Sequence, residues 1–244
     1  MDHFIELNRG FQTAFVDHNI NSNVAFRPEF LSNDRFRGKK VIVSLERELL
    51  NCEEFQISVA FITKSGITPL LQTLKELEKL GIPGRILTTD YLLFSEPDAL
   101  DRLFSLKNIQ LRMYHIGTET DGFHTKGYIF RKQEIYRMII GSSNLTMSAL
   151  TKNREWNTKL IGMKDGSLVS DILSEFEELW SAKQTMDYEE FIEAYRLAYT
   201  RQQVIREQQR AARSGNLIQI EKHTLKPNKM QVAFIDNLMR MKNS

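Results

Sequence analysis

The apolar positions between residues 39 and 116 alternate between two spacings. In three stretches they recur every three or four residues, as in an amphipathic helix, and between these stretches they form short runs that are typical of strands. The predicted helices cover 39–52, 65–81 and 96–106, and the predicted strands cover 54–62, 84–90 and 109–116. Strands that alternate with helices predict an α/β sheet with helices on its faces.

Two more predicted strands, 123–131 and 135–141, follow each other closely along the chain. Such a short connection indicates an antiparallel hairpin, so the sheet should be mixed. A further strand is predicted over 157–163 and a helix over 171–180, which is followed by a long helix. We therefore expect an α/β fold class with a mixed β-sheet flanked by helices on both faces, followed by a helical C-terminal connector.

These changes of pattern divide the chain into predicted segments. An N-terminal helix and a loop (19–34) occupy 1–35, the main domain occupies 36–166, the helical connector occupies 167–224, and another domain begins in 225–244. Residues 170–200 carry eight acidic and two basic side chains, whereas residues 201–229 carry seven basic and two acidic ones. A solvated helix face is the simplest interpretation, and the alternative is a nucleic-acid track that includes Arg206, Arg210 and Arg213.

Composition narrows the class of protein. The 244 residues are 41% hydrophobic, which argues against wholesale disorder, and the net charge of +2 lacks the overall basic signature of many nucleic-acid binders. Cys52 is the only cysteine, so no disulfide framework forms within one chain and a cytoplasmic location is expected. The polar N-terminus does not resemble a signal peptide, and no apolar run is long enough to span a membrane.

One pair of residues points to phosphate chemistry. Side chains alternate across a strand, so His124 and Lys126 should project from one face of the strand predicted over 123–131. A neutral imidazole can attack phosphorus, and an ammonium group can neutralise a phosphate oxygen. By itself the spacing is weak, because a surface histidine and lysine also alternate in this way.

A second group of small polar residues follows the strand predicted over 135–141. Ser142, Ser143 and Asn144 are predicted to open a helix, whose free N–H groups would bind an anion, although a plain helix cap is the alternative. Glu155 precedes the next strand and is a candidate for orienting a histidine or lysine, with an ordinary loop carboxylate as the alternative.

Together these residues resemble the phospholipase D superfamily, and its small nuclease-type members in particular. The resemblance covers roughly residues 36–165 and depends on His124-x-Lys126, Gly141-Ser142-x-Asn144 and the trailing Glu155. It implies that His124 is the nucleophile or general acid, that Lys126 and Asn144 bind phosphate with support from Ser142, and that Glu155 orients the histidine of the site.

One position departs from the family pattern HxKxxxxD. Arg131 stands where the family has Asp, so catalytic competence stays open. A catalytically inactive phospholipase D-like module that dimerises and binds nucleic acid is therefore the alternative to an enzyme. A lipid substrate is a more distant third hypothesis, because no amphipathic membrane-surface segment stands out.

The family mechanism implies two copies of the chain. It passes through a phosphohistidine and uses a second histidine as the acid, without a metal or another cofactor. No other histidine in this sequence is followed by x-Lys, so the resemblance predicts a homodimer with its active site on a two-fold axis. The predicted function is a metal-independent phosphodiesterase that acts on nucleic acid, with DNA favoured.

The last segment carries a second, shorter resemblance. Residues 225–241 begin with a proline-containing basic stretch and carry Gln231, which is similar to the entry segment of superfamily 2 helicases. This resemblance implies that the chain is the N-terminal portion of a helicase-type protein. The alternative is a C-terminal helix that packs on its own domain.

Overall fold

A single eight-stranded sheet organises the molecule, whose computed structural model describes residues 2–116 and 122–215. The strands are β1 (Glu29–Leu31), β2 (Glu54–Val59), β3 (Gly84–Thr89), β4 (Ile109–Tyr114), β5 (Lys126–Lys132), β6 (Ile135–Gly141), β7 (Asn157–Met163) and β8 (Thr185–Asp187). Their order across the sheet is β1-β7-β6-β5-β2-β3-β4-β8. The segment 225–244, with Gln231, lies outside the described residues.

The sheet is mixed, as the hairpin spacing predicted. Strands β2, β3 and β4 are parallel neighbours, and every other neighbouring pair is antiparallel. The β5–β6 hairpin pairs Lys132 with Ile135, and Gln133 in its turn has a positive φ of 53°. A left-handed residue in a two-residue connection matches the twist of the two strands.

The described residues form eight α-helices. They are α1 (His3–Phe15), α2 (Val41–Leu50), α3 (Lys64–Ile67), α4 (Leu71–Lys79), α5 (Pro97–Phe104), α6 (Met147–Thr151), α7 (Ser167–Trp180) and α8 (Tyr188–Gly215). The single helix predicted over 65–81 is divided by a 3₁₀ turn at Thr68–Leu70. Pro69 explains this difference, because its ring removes an amide donor and disfavours a continuous α-helix.

The alternation of the central strands produces two apolar layers. Phe55, Ile57 and Val59 of β2 belong to a core that includes buried residues of α2, α4 and α5. On the other face, Ile129 of β5 and Phe176 of α7 belong to a separate core. The prediction of helices on both faces is therefore confirmed.

Two short edge strands are absent from the sequence prediction. The stretch 19–34 was expected to be a loop but contains β1, and no strand was expected after residue 163, where β8 occurs. Each edge strand has three residues, too few for its own periodicity to show, and each forms through pairing with a longer neighbour. Both lie outside residues 36–166.

A buried network of charges joins α2 to β6 and β7. Glu48 lies 3.8 Å from Arg137 and 3.6 Å from Lys159, and Lys159 also lies 3.3 Å from Glu29. The side chains of Glu48 and Lys159 are 7% and 5% exposed. Charges at such depth are costly unless they are paired, so each one depends on the others.

The chain divides into two units, Met1–Arg201 and Gln202–Ser244. The second unit contributes the end of α8, which contains Arg206, Arg210 and Arg213. Arg206 and Arg210 are four residues apart and therefore share one side of the helix. Within the described residues, no helix has the length and apolar character needed to cross a bilayer.

Candidate active site

Three chain segments meet at one edge of the sheet. The register pairs Gly127 with Ile140, and Gly141 with Asn157. The residues before β5, after β6 and before β7 therefore converge at the same edge. These segments carry His124, the stretch Ser142 to Asn144, and Glu155, so the structure brings the residues of the sequence motif together.

The strand that carries the motif begins later than predicted. Lys126 is the first residue of β5, and His124 lies in the extended segment before it, although a strand was predicted over 123–131. The reason is that β2 ends at Val59, which pairs with Lys126, so the preceding residues have no strand partner. One side-chain contact ties this segment to β2, between the hydroxyls of Ser58 and Thr125 at 2.6 Å.

His124 and Lys126 are nevertheless in direct contact. Lys126 Nζ lies 2.8 Å from His124 Nδ1 and donates a hydrogen bond to the backbone oxygen of His124 at 2.8 Å. The lysine is only 9% exposed, whereas the histidine is exposed. When the lysine is protonated, Nδ1 accepts the hydrogen bond, which places the proton of a neutral imidazole on Nε2.

The surroundings favour a neutral histidine. Burial lowers the pKa of His124, and the charge of Lys126 lowers it further. Burial also lowers the pKa of Lys126, while the Glu155 carboxylate acts in the opposite direction and supports the ammonium form. The pair therefore combines an unprotonated imidazole with a cation, which is the combination that attack on a phosphodiester requires.

The segment after β6 does not open a helix, and this part of the prediction is wrong. Helix α6 begins at Met147, after Thr146 as its N-cap. The chain from 142 onward instead runs beside the segment that leads into β7. The amide of Ser142 donates to Trp156 O at 3.1 Å, and the amide of Ser143 donates to Asn157 Oδ1 at 3.2 Å. Both N–H groups are therefore unavailable to an anion.

Ser143 has a structural position rather than a phosphate-facing one. It is fully buried, and its hydroxyl accepts a hydrogen bond from Asn157 Nδ2 at 2.9 Å. Its backbone oxygen accepts a hydrogen bond from the buried Tyr128 hydroxyl at 2.9 Å. The predicted phosphate contact of Ser143 does not fit these bonds.

Asn144 connects the motif to the end of β2. Its Oδ1 accepts a hydrogen bond from the backbone amide of Phe61 at 3.1 Å, and the amide of Leu145 donates to Phe61 O at 3.1 Å. Because this oxygen is engaged, the Asn144 amide nitrogen is the part of the side chain with donors to offer. This arrangement suits the predicted contact with a phosphate oxygen.

Glu155 contacts Ser142 instead of the histidine. Its carboxylate accepts a short hydrogen bond from the Ser142 hydroxyl, which in turn accepts one from the amide of Trp156 at 3.1 Å. Burial is the main reason that the pKa of Tyr128 is raised, and the negative charge of Glu155 raises it further. Within one chain, Glu155 therefore acts on Lys126 through its charge and positions Ser142, and the predicted orientation of His124 by Glu155 is not seen.

Arg131, the departure from the family motif, lies far from this edge. Its Nε is 3.0 Å from Glu54 Oε2, and its Nη1 is 3.5 Å from Glu53 Oε2. The hydrogen bond to Glu54 is the main reason that the pKa of Arg131 is raised. It lies five residue steps along the strand from Lys126, a distance of about 17 Å. The substitution therefore changes ion pairing at the opposite end of β5.

The sequence analysis missed three aromatic residues near the histidine, two of which contact it. Phe61 and Tyr91 have ring centroids 6.0 Å and 6.2 Å from that of His124, and Phe94 packs edge-on against Phe61 at 5.1 Å. We call these three residues the aromatic wall. A signal was present, because the three residues lie just beyond the parallel strands β2 and β3, where open α/β sheets place their ligands.

A basic cleft beside Glu155 was also missed. It is lined by residues before α2 and after α6, and its charged and aromatic members are one carboxylate, Asp34, with Arg35, Phe36, Lys152, Arg154 and Trp156. Trp156 is 75% exposed and packs edge-on against Phe30 at 5.6 Å. Arg35 lies far along the chain from Lys152 and Arg154, so no local charge run revealed the cleft. In the described part of the chain, no group of three or more His, Cys, Asp or Glu side chains is arranged to hold a metal ion.

Comparisons with known proteins agree with this geometry. A family described as "Cardiolipin synthase, PLD-like domain" matches residues 47–180, more than half of the chain. The phospholipase D family member Nuc from Salmonella typhimurium has 19% sequence identity and a TM-score of 0.50, and NucT from Helicobacter pylori has 15% identity and a TM-score of 0.52. Each comparison covers 66% of this chain and 99% of the other chain. No curated protein matches the sequence significantly.

The two solved structures share the fold, and the family match covers the segments that carry His124, Lys126, Asn144 and Glu155. The chain therefore belongs to the phospholipase D-like domain family.

Proposed function

We propose that this protein is a phosphodiesterase that cleaves nucleic acid, with His124 as the nucleophile. The observation that carries the proposal is the contact between His124 Nδ1 and Lys126 Nζ at 2.8 Å, beside Asn144 and at the edge where three segments converge. The lowered pKa of His124 supports it, because a neutral imidazole has the lone pair that attacks phosphorus.

The first step exchanges one bond at phosphorus for another. Imidazole nitrogen forms a P–N bond while the bond to the leaving oxygen breaks, and a second imidazole donates the proton that this oxygen needs. Water then attacks, its proton passes to the second imidazole, and the P–N bond breaks. Lys126 and the Asn144 amide stabilise the negative oxygens in both steps.

Substrate binding requires Lys126 to change partner. In this structure the Lys126 ammonium is bonded to His124 Nδ1, which directs the lone pair of the ring toward the lysine. A phosphate that accepts a hydrogen bond from Nζ releases Nδ1. Exchange with water then adds a proton at Nδ1 and removes the proton at Nε2, which becomes the nucleophile. The bound phosphate would therefore activate its own nucleophile.

We propose that the second imidazole comes from another copy of the chain, in a homodimer. Two other histidines are engaged elsewhere, since His3 contacts Glu134 at 2.9 Å and His115 contacts Asp90. A single HxK pair supplies one imidazole, whereas the mechanism needs two. An isologous contact would place two His124 side chains on opposite sides of one phosphate.

The nucleic-acid substrate, with DNA favoured, is supported by positive charge on the surface. The basic cleft adjoins Glu155 and combines three cations and two aromatic side chains with a single carboxylate, Asp34. Arg206, Arg210 and Arg213 offer a second basic stretch on α8. The attachment of a helicase domain is a further proposal, which depends on the sequence of 225–244 alone.

A catalytically inactive, nucleic-acid-binding module is the second candidate. Two observations favour it: Arg131 replaces the family Asp, and Glu155 is bonded to Ser142 rather than to the histidine. The distance of Arg131 from the site weakens the first of these observations, because a residue about 17 Å away does not contact the reacting groups.

The deciding experiment compares wild type, His124→Ala and His18→Ala with labelled single-stranded and double-stranded DNA and RNA in the presence of EDTA. His18 is exposed and provides a matched histidine control. We expect wild type and His18→Ala to cleave, His124→Ala to be inactive, and quenching in alkaline denaturant, which preserves the acid-labile P–N bond, to trap labelled substrate on wild type. Binding without cleavage by wild type would favour the inactive module, and cleavage by His124→Ala would exclude this nucleophile.

Subunit mixing tests the composite site. Excess His124→Ala chains, exchanged into wild type, should reduce the activity per wild-type chain, because mixed dimers lack one imidazole. Exchange with His18→Ala chains should leave that activity unchanged. A monomer by sedimentation, or activity that is insensitive to the excess of His124→Ala, would contradict the composite site.

A further inference from the structure

The aromatic wall is built beside the nucleophile but has no part in the chemistry described above. The rings of Phe61 and Tyr91 are nearly parallel, with an interplanar angle of 10° and centroids 6.4 Å apart. Tyr91 is 37% exposed and Phe94 is 43% exposed. Aromatic surface that stays in contact with water gains little for the fold, so its position beside His124 calls for another explanation.

The turn that carries Tyr91 has an uncommon backbone. Leu92 and Leu93 have φ values of 55° and 48°, in the left-handed region that glycine and asparagine usually occupy. Strained residues of this kind persist where the surrounding structure holds them, and they cluster at functional sites. Leucine at both positions shows that this turn keeps its shape without the residue types that would adopt it most readily.

Both ends of the turn are fixed by hydrogen bonds. The amide of Tyr91 donates to Thr89 Oγ1 at 3.1 Å, and the amide of Leu93 donates to Asp90 O at 2.9 Å. Ser95 is fully buried, and its hydroxyl accepts a hydrogen bond from the amide of Ile62 at 3.1 Å. Ile62 directly follows Phe61 after the end of β2, so this bond joins the two segments that carry the wall. The rings of the wall are therefore fixed in position before any ligand binds.

We propose that the aromatic wall stacks an unpaired base of the nucleotide whose phosphate is attacked by His124, so that the substrate is a single strand or a frayed end. This inference rests on the proposed function. A base is joined through its sugar to the phosphate. Phe61 and Tyr91 of the wall contact His124, which in turn contacts Lys126, the residue that would hold that phosphate. Aromatic faces bind bases without regard to sequence.

A paired base cannot use this surface. In a duplex each base is stacked on its neighbours and its face is covered, so a side chain reaches it only when it leaves the stack. Access to the wall would therefore favour strands whose bases are already unpaired. The amide of Phe61 donates to the Asn144 side chain, and its backbone oxygen accepts from the amide of Leu145, so base stacking and phosphate contact are held in one geometry.

The test measures binding by stopped-flow anisotropy before turnover. The probes are labelled oligothymidylate, a strand of the same length that lacks bases, and a duplex of the same length. The proteins are wild type, Tyr91→Ala, Tyr91→Trp and the control Phe15→Ala, whose side chain is 64% exposed at the end of α1. Thermal melting confirms that each variant is folded, and Phe94→Ala provides a second wall variant.

We expect Tyr91→Ala to weaken binding of oligothymidylate by roughly 5- to 150-fold, the range for one lost stacking contact. It should scarcely affect the strand that lacks bases, Tyr91→Trp should restore affinity, and Phe15→Ala should change nothing. Wild type should prefer the single strand to the duplex.

The inference is overturned if the strand without bases binds wild type as tightly as oligothymidylate, or if Tyr91→Ala weakens both equally. A shift of Tyr91→Ala from dimer to monomer, with unchanged base dependence, would assign the wall to a protein interface and also overturn it. In these cases, salt-dependent binding of the base-free strand would show that the proposed phosphate site stands. If wild type neither binds nor cleaves any strand, both the stacking inference and the proposed function fail.

Discussion

Replacing Lys126 with Met tests the centre of the proposed site. Methionine has a similar length and no charge, so the substitution removes the cation and both hydrogen bonds to His124. Two effects should follow from one change. The transition state loses its main positive charge, and the imidazole loses the neighbour that lowers its pKa.

The size of each effect follows from the surroundings of Lys126. Loss of one well-placed donor to a developing oxyanion costs about 2.7–4 kcal/mol, or about 10²–10³-fold in kcat. Lys126 is 9% exposed, so water does not easily take its place, and Asn144 remains as a second donor. The pKa of His124 should rise when the charge of Lys126 is removed. It should stay below the ordinary value of 6.5, because burial is the largest cause of the lowered pKa and remains in the variant.

The assay separates these two effects by pH. The mechanism needs one neutral and one protonated His124, so kcat should depend on pH as a bell-shaped curve, and kcat compared at the optimum of each protein reports the loss of charge stabilisation. NMR titration of the His124 ring reports its pKa directly. Lys132→Met, at the exposed end of the same strand, is the matched control. A loss of less than 10-fold, or an unchanged pKa of His124 in Lys126→Met, would refute the assigned role.

Three further predictions follow from the same contacts. Ser142→Ala should lower kcat/KM about 10-fold, because Glu155 loses the hydroxyl that holds it, and unchanged kinetics would contradict this role. Because the pKa of His124 is lowered, kcat/KM should fall with acidity only below pH 6.5, and a midpoint above 6.5 would oppose a neutral nucleophile. Glu48→Ala should lower the free energy of unfolding by about 3 kcal/mol in urea titrations. This is the low end for a broken buried ion pair, because Lys159 keeps the Glu29 carboxylate at 3.3 Å. A loss under about 1 kcal/mol would show that the network adds little to stability.

The periodicity of the sequence was sufficient to predict the central elements. Strand β7 matches the predicted 157–163, and β6 matches 135–141, because each is buried and bounded by turn residues. The edge strands β1 and β8 were missed, since three residues carry too little pattern. The helix over 65–81 was predicted as continuous because the apolar spacing persists through Pro69. Proline disfavours a continuous α-helix, and the backbone forms a 3₁₀ turn there.

The spacing of His124, Lys126, Asn144 and Glu155 was sufficient to indicate the kind of site. It did not reveal what each group contacts. The small polar residues after β6 suggested a helix start, but neighbouring chain segments supply the partners of Ser142 and its amide. Which partner a side chain finds depends on segments that are distant in sequence, and no local pattern records them.

The sequence by itself determined the longer strands, most of the helices, the mixed sheet and the spacing of His124, Lys126, Asn144 and Glu155 that marks the candidate site. These properties depend on short-range periodicity and on the identities of a few side chains. Only the tertiary structure decided that Lys126 contacts His124 Nδ1, that Arg131 lies at the opposite end of its strand, and that an aromatic wall borders His124. The physical reason is that sheet register and strand order bring together β2, β3 and β5, whose residues are tens of positions apart in the chain.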